Sequence, residues 1–324
     1  MQEQLIRKYE NYSSEHENHN VQYWTIIVTC WWGFIDIDGF ACAIAYAELL
    51  RLEWNDATAV LTDPLNASVT HEIRALGAEF STVLKSWESY VIVDMSDPDK
   101  IQEFAPLDTV CEIYDHHFGF EEYWKYRLGK LAKIEPIGAA ATLIWEEFKS
   151  RNLSNKISHI SSILLAHAIL SNTVNFLVGI SHKRDREALS ELVEIAELEE
   201  NWIASYFYSE QKYIEANPRE AILNDTKLLS LPPFGRIAFS QCEIWDSTEF
   251  REMVPFKSIL NLPDTDSWIL NCVDIQKWET RIHSNHRWMI ERLKTAFDWI
   301  YDWNELYIKK VVLRKEILPI LKSE

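Results

Sequence analysis

The chain has 324 residues, with 32 Lys plus Arg against 50 Asp plus Glu, a formal charge of −18 and 47% hydrophobic residues. That length leaves room for two domains, each with its own core, and the acidic balance argues against an extended nucleic-acid partner, because Lys and Arg must neutralise the phosphates. The five cysteines (Cys30, Cys42, Cys111, Cys242, Cys272) are scattered without a CxxC pair, suggesting neither a disulfide framework nor a zinc knuckle and fitting a cytoplasmic protein. Residues 1–20 are polar, and no later run approaches the roughly 18 apolar residues of a membrane span, so export and a bilayer are not expected.

From about residue 23, short β-rich runs alternate with helical periodicity, the pattern of βαβ units and a parallel sheet. Residues 24–29 read as a first strand. Phe40, Ala43, Ile44, Ala47 and Leu50 recur at i, i+3, i+4 spacing, which predicts a helix over 39–53. Strands follow at 57–61, 90–93 and 109–114, with helices near 68–77 and 98–104. Asp97-Pro98 reads as an N-cap followed by proline at the first helical position. Residues 139–150, 157–171, 182–197 and 201–214 read as further helices, and Asn217-Pro218 marks a linker. Beyond it, strands at 235–245, 268–275 and 306–313 and a helix at 287–301 predict a smaller α/β domain. The expected division is 20–214, a linker at 215–222, and 223–324. His159 and His167 read as core residues, and His283 with His286 as a surface pair on a helix.

Three acidic signals stand at three separate strand ends: Asp36-Ile37-Asp38-Gly39, Asp94, and Asp115-His116-His117. In an open α/β fold the strand ends form one edge, where sites lie. Alone, two aspartates spaced as Asp36 and Asp38 more often cap a helix. Joined to Asp94 and the Asp-His-His triplet, they can hold divalent ions about 3.5–4 Å apart, with Asp94 as the natural bridge.

These residues resemble the Asp-His-His (DHH) phosphoesterase superfamily, in its branch of family II manganese-dependent inorganic pyrophosphatases and exopolyphosphatases. Ile35-Asp36-Ile37-Asp38 with Ala43-Ile44-Ala45-Tyr46 looks like the first motif, Val93-Asp94 the second and Tyr114-Asp115-His116-His117 the third. Glu135-Pro136-Ile137-Gly138 with Ala141-Thr142 resembles the next segment, and residues 168–173 the fourth motif. Leu313-Arg314-Lys315-Glu316 with Pro319 looks like the basic loop of the family's second domain. No Gly-Gly-Gly-His type element occurs in the tail, which argues against the exonuclease branches.

The resemblance implies a two-domain α/β fold with its active site in the interdomain cleft and a cofactor of Mn or Mg, as two ions or one. It puts Asp36 on one metal, Asp38 on the other, Asp94 between them, and His116 in the ligand set with Asn172. Asp94, Asp115, His116 and His117 form the catalytic group, with His117 beside the substrate. Lys227, Arg314 and Lys315 bind phosphate oxygens, the guanidinium in bidentate fashion. The implied activity is hydrolysis of a phosphoanhydride or phosphoester by a metal-activated water, on a small phosphorylated substrate; a homodimer is possible. Two departures motivate an alternative, a weakened relative that binds a phosphorylated ligand or a partner protein. Trp32 replaces a metal-binding His and offers no lone pair, and Asn172 replaces an Asp and drops one negative charge.

Overall fold

The computed structural model describes residues 25–30, 33–84, 89–179, 181–248, 255–296, 300–302 and 305–322. Trp32 lies outside the described residues. The first part of the chain runs β1 (Ile26–Thr29), α1 (Ile37–Leu52), β2 (Ala57–Ala59), α2 (His71–Ala75), β3 (Ser89–Val93), α3 (Pro98–Ile101), β4 (Val110–Asp115), α4 (Glu121–Leu128), β5 (Ala132–Ile134), α5 (Ala140–Ser150), α6 (His159–Asn172), α7 (Lys183–Ile195) and α8 (Trp202–Ala216). The second part comprises α9 (Pro218–Asn224), β6 (Lys227–Ser230), β7 (Arg236–Ile244), α10 (Phe256–Leu260), β8 (Ser267–Asp274), β9 (Glu279–Ser284), α11 (Arg287–Ala296), β10 (Ile300–Asp302), β11 (Glu305–Ile308) and α12 (Arg314–Lys322).

The first five strands form a wholly parallel sheet in the order β2-β1-β3-β4-β5. Strands buried on both faces need apolar residues at successive positions, and Tyr90-Val91-Ile92-Val93 supplies them. Val91 and Val93 pack with α1, α5 and α6, while Tyr90 and Ile92 face Trp124 of α4 and Ile101 of α3. α1 is buried almost all round. Its alanines at 41, 43, 45 and 47 let α6 and the sheet approach closely from opposite sides. The strand order reverses beside β1, so the loops after β1 and β3 diverge and open a crevice between them.

The second sheet is mixed, in the order β10-β11-β9-β8-β7-β6, with β7 and β8 the one parallel pair among its described strands. Ile237, Phe239, Ile269 and Ile282 pack on α11 and α12 on one face, and Ala238, Trp268 and Leu270 pack on α10 on the other. The architecture is the α/β fold expected, a parallel sheet with flanking helices followed by a second α/β sheet.

Several local expectations need correction. Residues 218–224 form a helix, so Asn217-Pro218 is a joint between two helices rather than an irregular linker; proline at the first helical position makes the break and starts the next helix. Of the helix expected over 287–301, the described residues show Arg287–Ala296, and Ile300–Asp302 form a strand. The strand expected over 306–313 stops at Ile308, and Arg314-Lys315 opens α12. There the Glu316 side chain accepts from Leu313 N at 2.9 Å, the return bond of a capping box. His283 lies buried in β9 with its ring against Phe256, not on a surface helix. Asp97 is the N-cap, accepting from Asp99 N at 3.0 Å.

His167 is buried in α6, its Nδ1–H donating to Ile163 O at 2.8 Å and its ring packed on Trp202 and Tyr206. Burial pushes its imidazole down to about 4. The folded value lies below the unfolded value of about 6.5, so its contribution is complete above pH 6.5 and is lost as pH falls towards 4. From this residue alone, stability should drop by about 3 kcal/mol across that window. In His167→Phe, urea unfolding at pH 7 and at pH 4.5 should show a shallower acid loss than in the parent protein.

Candidate metal centre

Asp36 precedes α1 with extended backbone, and its Oδ1 accepts from Asp38 N at 3.1 Å and Gly39 N at 3.0 Å. The capping role is therefore real, and it fixes the carboxylate at the crevice. Asp38, two residues on, is fully buried and is held from a distant part of the chain. Its Oδ2 accepts from Ala140 N at 2.8 Å and its Oδ1 from Ala141 N at 2.9 Å. Those are unpaired donors at the start of α5, whose own N-cap, Ala139, has no side-chain acceptor. Cys42 Sγ, one helical turn along α1, lies 3.4 Å from Asp38 Oδ1.

Asp94 follows β3 with φ of 55°, a left-handed conformation that aspartate tolerates better than most side chains. Its N–H donates to Tyr114 O at 2.8 Å, keeping it level with the end of β4. A Cβ on Gly39 would lie 2.6 Å from Cys30 Sγ and 3.5 Å from Asp94 Oδ2, so only glycine lets α1 begin this close to the ends of β1 and β3.

At the end of β4 the Asp115 carboxylate turns back on its own loop. Its Oδ1 accepts from His116 N at 2.7 Å, His117 N at 3.1 Å and His117 Nδ1 at 2.8 Å. Burial raises the Asp115 pKa, but the His117 hydrogen bond and charge outweigh it and hold the carboxyl below its ordinary range. Asp115 is thus placed as an anchor for both histidines. His116 Nδ1 lies 3.1 Å from Ile137 O, an oxygen that can only accept, so Nδ1 carries the proton and Nε2 presents a lone pair. That Nε2 lies 3.4 Å from Asp94 Oδ1 and 3.8 Å from Asp38 Oδ2.

Asp94, His116 and His117 each offer a ligand atom, all within 4.8 Å of one another. Asp94 Oδ1 is buried and makes no hydrogen bond among the described residues. Burial, then repulsion from Asp36 and Asp38, pushes the Asp94 carboxyl well above the ordinary carboxylate range. Burial likewise raises Asp38 against the pull of His116. An orphaned carboxylate oxygen beside an imidazole lone pair and two further carboxylates is a donor set that a divalent cation satisfies, and O and N donors suit Mn or Mg.

The remaining predicted residues are arranged differently. Asn172 ends α6, and its amide makes no hydrogen bond with another described residue. The Arg314 guanidinium, expected to be free for phosphate, is instead forked onto Asp225 at 2.8 and 3.1 Å and also donates to the Asp225 and Phe239 carbonyls. The physical reason is its location at the start of α12, where β7 presents the Phe239 carbonyl and the end of α9 presents Asp225. Lys315 is its neighbour on α12, and Lys227 opens β6 within electrostatic reach of Arg314. Sequence reasoning missed Ile137 O and the Ala140 and Ala141 amides, because backbone groups carry no side-chain signal.

No family model matches the chain. It is 28% identical over 172 residues to a protein of Lactobacillus delbrueckii subsp. bulgaricus described as a probable manganese-dependent inorganic pyrophosphatase, covering 50% of this chain and 52% of that one. A Clostridium acetobutylicum protein of the same description is 26% identical over 67% of this chain and 70% of its own length. The first of these matches therefore spans about half of the curated relative. Among solved structures, a Methanococcus jannaschii protein assigned to the family II inorganic pyrophosphatases superposes with a TM-score of 0.67 at 22% identity, covering 92% of this chain and 98% of that one. An exopolyphosphatase-related protein of Bacteroides fragilis gives 0.50 at 11% identity, covering 97% and 93%. At such identities the superpositions speak for the fold alone. A parallel sheet carrying Asp-x-Asp, Asp and Asp-His-His at three strand ends resembles the arrangement of the DHH phosphoesterases. In sequence the chain is similar to proteins described as probable manganese-dependent inorganic pyrophosphatases.

If the crowded carboxylates await a cation, adding Mn2+ to chelator-treated protein should raise its melting temperature with concentration, by about 2.7 kcal/mol of stability at one hundred times Kd. Asp94→Asn should remove that dependence while melting no lower than the parent protein without metal, since it relieves repulsion. Differential scanning calorimetry at stepped Mn2+ concentrations checks both.

Proposed function

We propose that this chain is a divalent-metal-dependent phosphohydrolase acting on a small phosphorylated substrate, a phosphoanhydride such as pyrophosphate or short polyphosphate, or a phosphoester. The observation that carries the reading is the convergence of Asp94 Oδ1 and His116 Nε2 at 3.4 Å, with Asp38 alongside, at a buried edge rich in uncompensated negative charge. Asp36 and Asp38 would serve separate ions, with Asp94 between them. Mn2+ or Mg2+ bound there would supply Lewis acidity toward phosphoryl oxygens and make a water nucleophilic near neutral pH.

The chain's own groups then orient and protonate. His117 is 63% exposed at its side chain, with Nδ1 tied to Asp115. Burial works against its protonated form, but the Asp115 hydrogen bond and the Asp94 charge outweigh it and raise its pKa. Protonated, it would donate a proton to a departing phosphate oxygen. Lys315 and Lys227 would hold phosphate as point charges, while Arg314, committed to Asp225, secures the start of α12 rather than gripping substrate in this arrangement. Residues 20–214 would thus supply the metal ligands and 223–324 the cations, joined through the two helices that meet at Asn217-Pro218.

Turnover of pyrophosphate, tripolyphosphate and nucleoside triphosphate, measured with Mn, Mg and Co, tests the reading. At least one substrate should be hydrolysed in a metal-dependent way, and no turnover under any combination in folded protein would overturn the proposal. His117→Ala should lower kcat by about 10²–10⁴-fold. Lys315→Ala should raise KM about tenfold with little change in kcat, the loss of one charge-assisted hydrogen bond.

A further inference from the structure

Asp185 lies at the third position of α7, fully buried and far along the chain from Asp38, Asp94 and His116. Its Oδ2 accepts from Gly138 N at 2.9 Å and His182 N at 2.6 Å, and its Oδ1 from Thr142 Oγ1 at 2.7 Å. Gly138 and Thr142 bracket the short stretch that touches the metal centre. Ile137 O accepts the His116 Nδ1 proton, and the Ala140 and Ala141 amides hold the two oxygens of Asp38. The stretch has no slack. A Cβ on Gly138 would lie 2.6 Å from Thr173 Cγ2 and 2.7 Å from Asp185 Oδ2.

We propose that Asp185 is a positioning residue for the metal centre, a single buried carboxylate that sets two ligands at once through the segment 137–142. The inference rests on the metal-dependent reading above. Outer partners fix the orientation and basicity of ligands, and their loss typically weakens metal affinity about 10–100-fold. In Asp185→Ala both acceptor oxygens are removed, so Gly138 N, His182 N and the Thr142 hydroxyl all lose this partner. The segment must then shift, carrying Ile137 O away from His116 and the α5 amides away from Asp38.

Asp185 also caps α7 through His182 N, so a purely structural role must be separated from positioning. Mn2+ binding to the full-length, metal-stripped chain, read by titration calorimetry or by the electron-spin resonance of free Mn2+, makes the separation. Asp185→Ala should bind Mn2+ about 10–100-fold more weakly. Ser190→Gly, on the exposed face of α7, should lower the melting temperature without changing Mn2+ affinity. Parent-like affinity in Asp185→Ala would reduce Asp185 to a helix cap and overturn the proposal. Should that variant not fold, Thr142→Val decides: several-fold weaker binding supports positioning, and unchanged binding refutes it. A parent protein that binds no Mn2+ at all would remove the metal centre itself, an outcome distinct from the failure of Asp185.

Discussion

Negative charge confined away from water is the constraint around which this structure is organised. Asp36, Asp38 and Asp94 meet at one edge of the first sheet, and Asp38 is wholly buried. Such charges are costly unless paired or hydrogen-bonded. The fold answers with backbone rather than basic side chains: the start of α1 donates to Asp36 and the start of α5 to Asp38. Helix starts carry partial positive charge, so they stabilise the carboxylates without neutralising them. What remains uncompensated is concentrated on Asp94.

The sheet explains why the charges meet where they do. Reversal of strand order beside β1 brings the loops after β1 and β3 to either side of one opening, and β4 delivers two imidazoles from the next position. Each acidic residue then has a separate local device: a cap for Asp36, a remote helix start for Asp38, a left-handed backbone for Asp94, and the return of Asp115 onto its own loop. The chemistry is gathered from distant sequence, yet each piece is held locally.

Much of this could be read in the residues. The β1 and β3 runs are apolar and Phe40, Ala43, Ile44, Ala47 and Leu50 recur at helical spacing, so the first sheet and its acidic ends were legible, although α1 is buried on nearly every face where that spacing suggested one buried stripe. The second sheet was less so. Its strand Glu279-Thr280-Arg281-Ile282-His283-Ser284 is polar on paper, and its burial comes from neighbours that only the fold supplies. Arg314 read as a phosphate ligand only through the resemblance of Leu313-Arg314-Lys315-Glu316 to the family's basic loop; its partner Asp225 lies far back in the chain, and no spacing rule links them. Asp185 gave no signal, since its role is carried by amides and a carbonyl.

The bond between Asp38 and the start of α5 spans more than a hundred residues. Contacts of such separation close loops at an entropic cost that must be met before they contribute. The cation-holding edge is therefore an outcome of long-range docking and not of any local hairpin or helix. A nascent chain that had emerged only through β4 would already display every acidic strand end, yet it would lack the amides that aim Asp38, so binding competence would arrive with the rest of the domain.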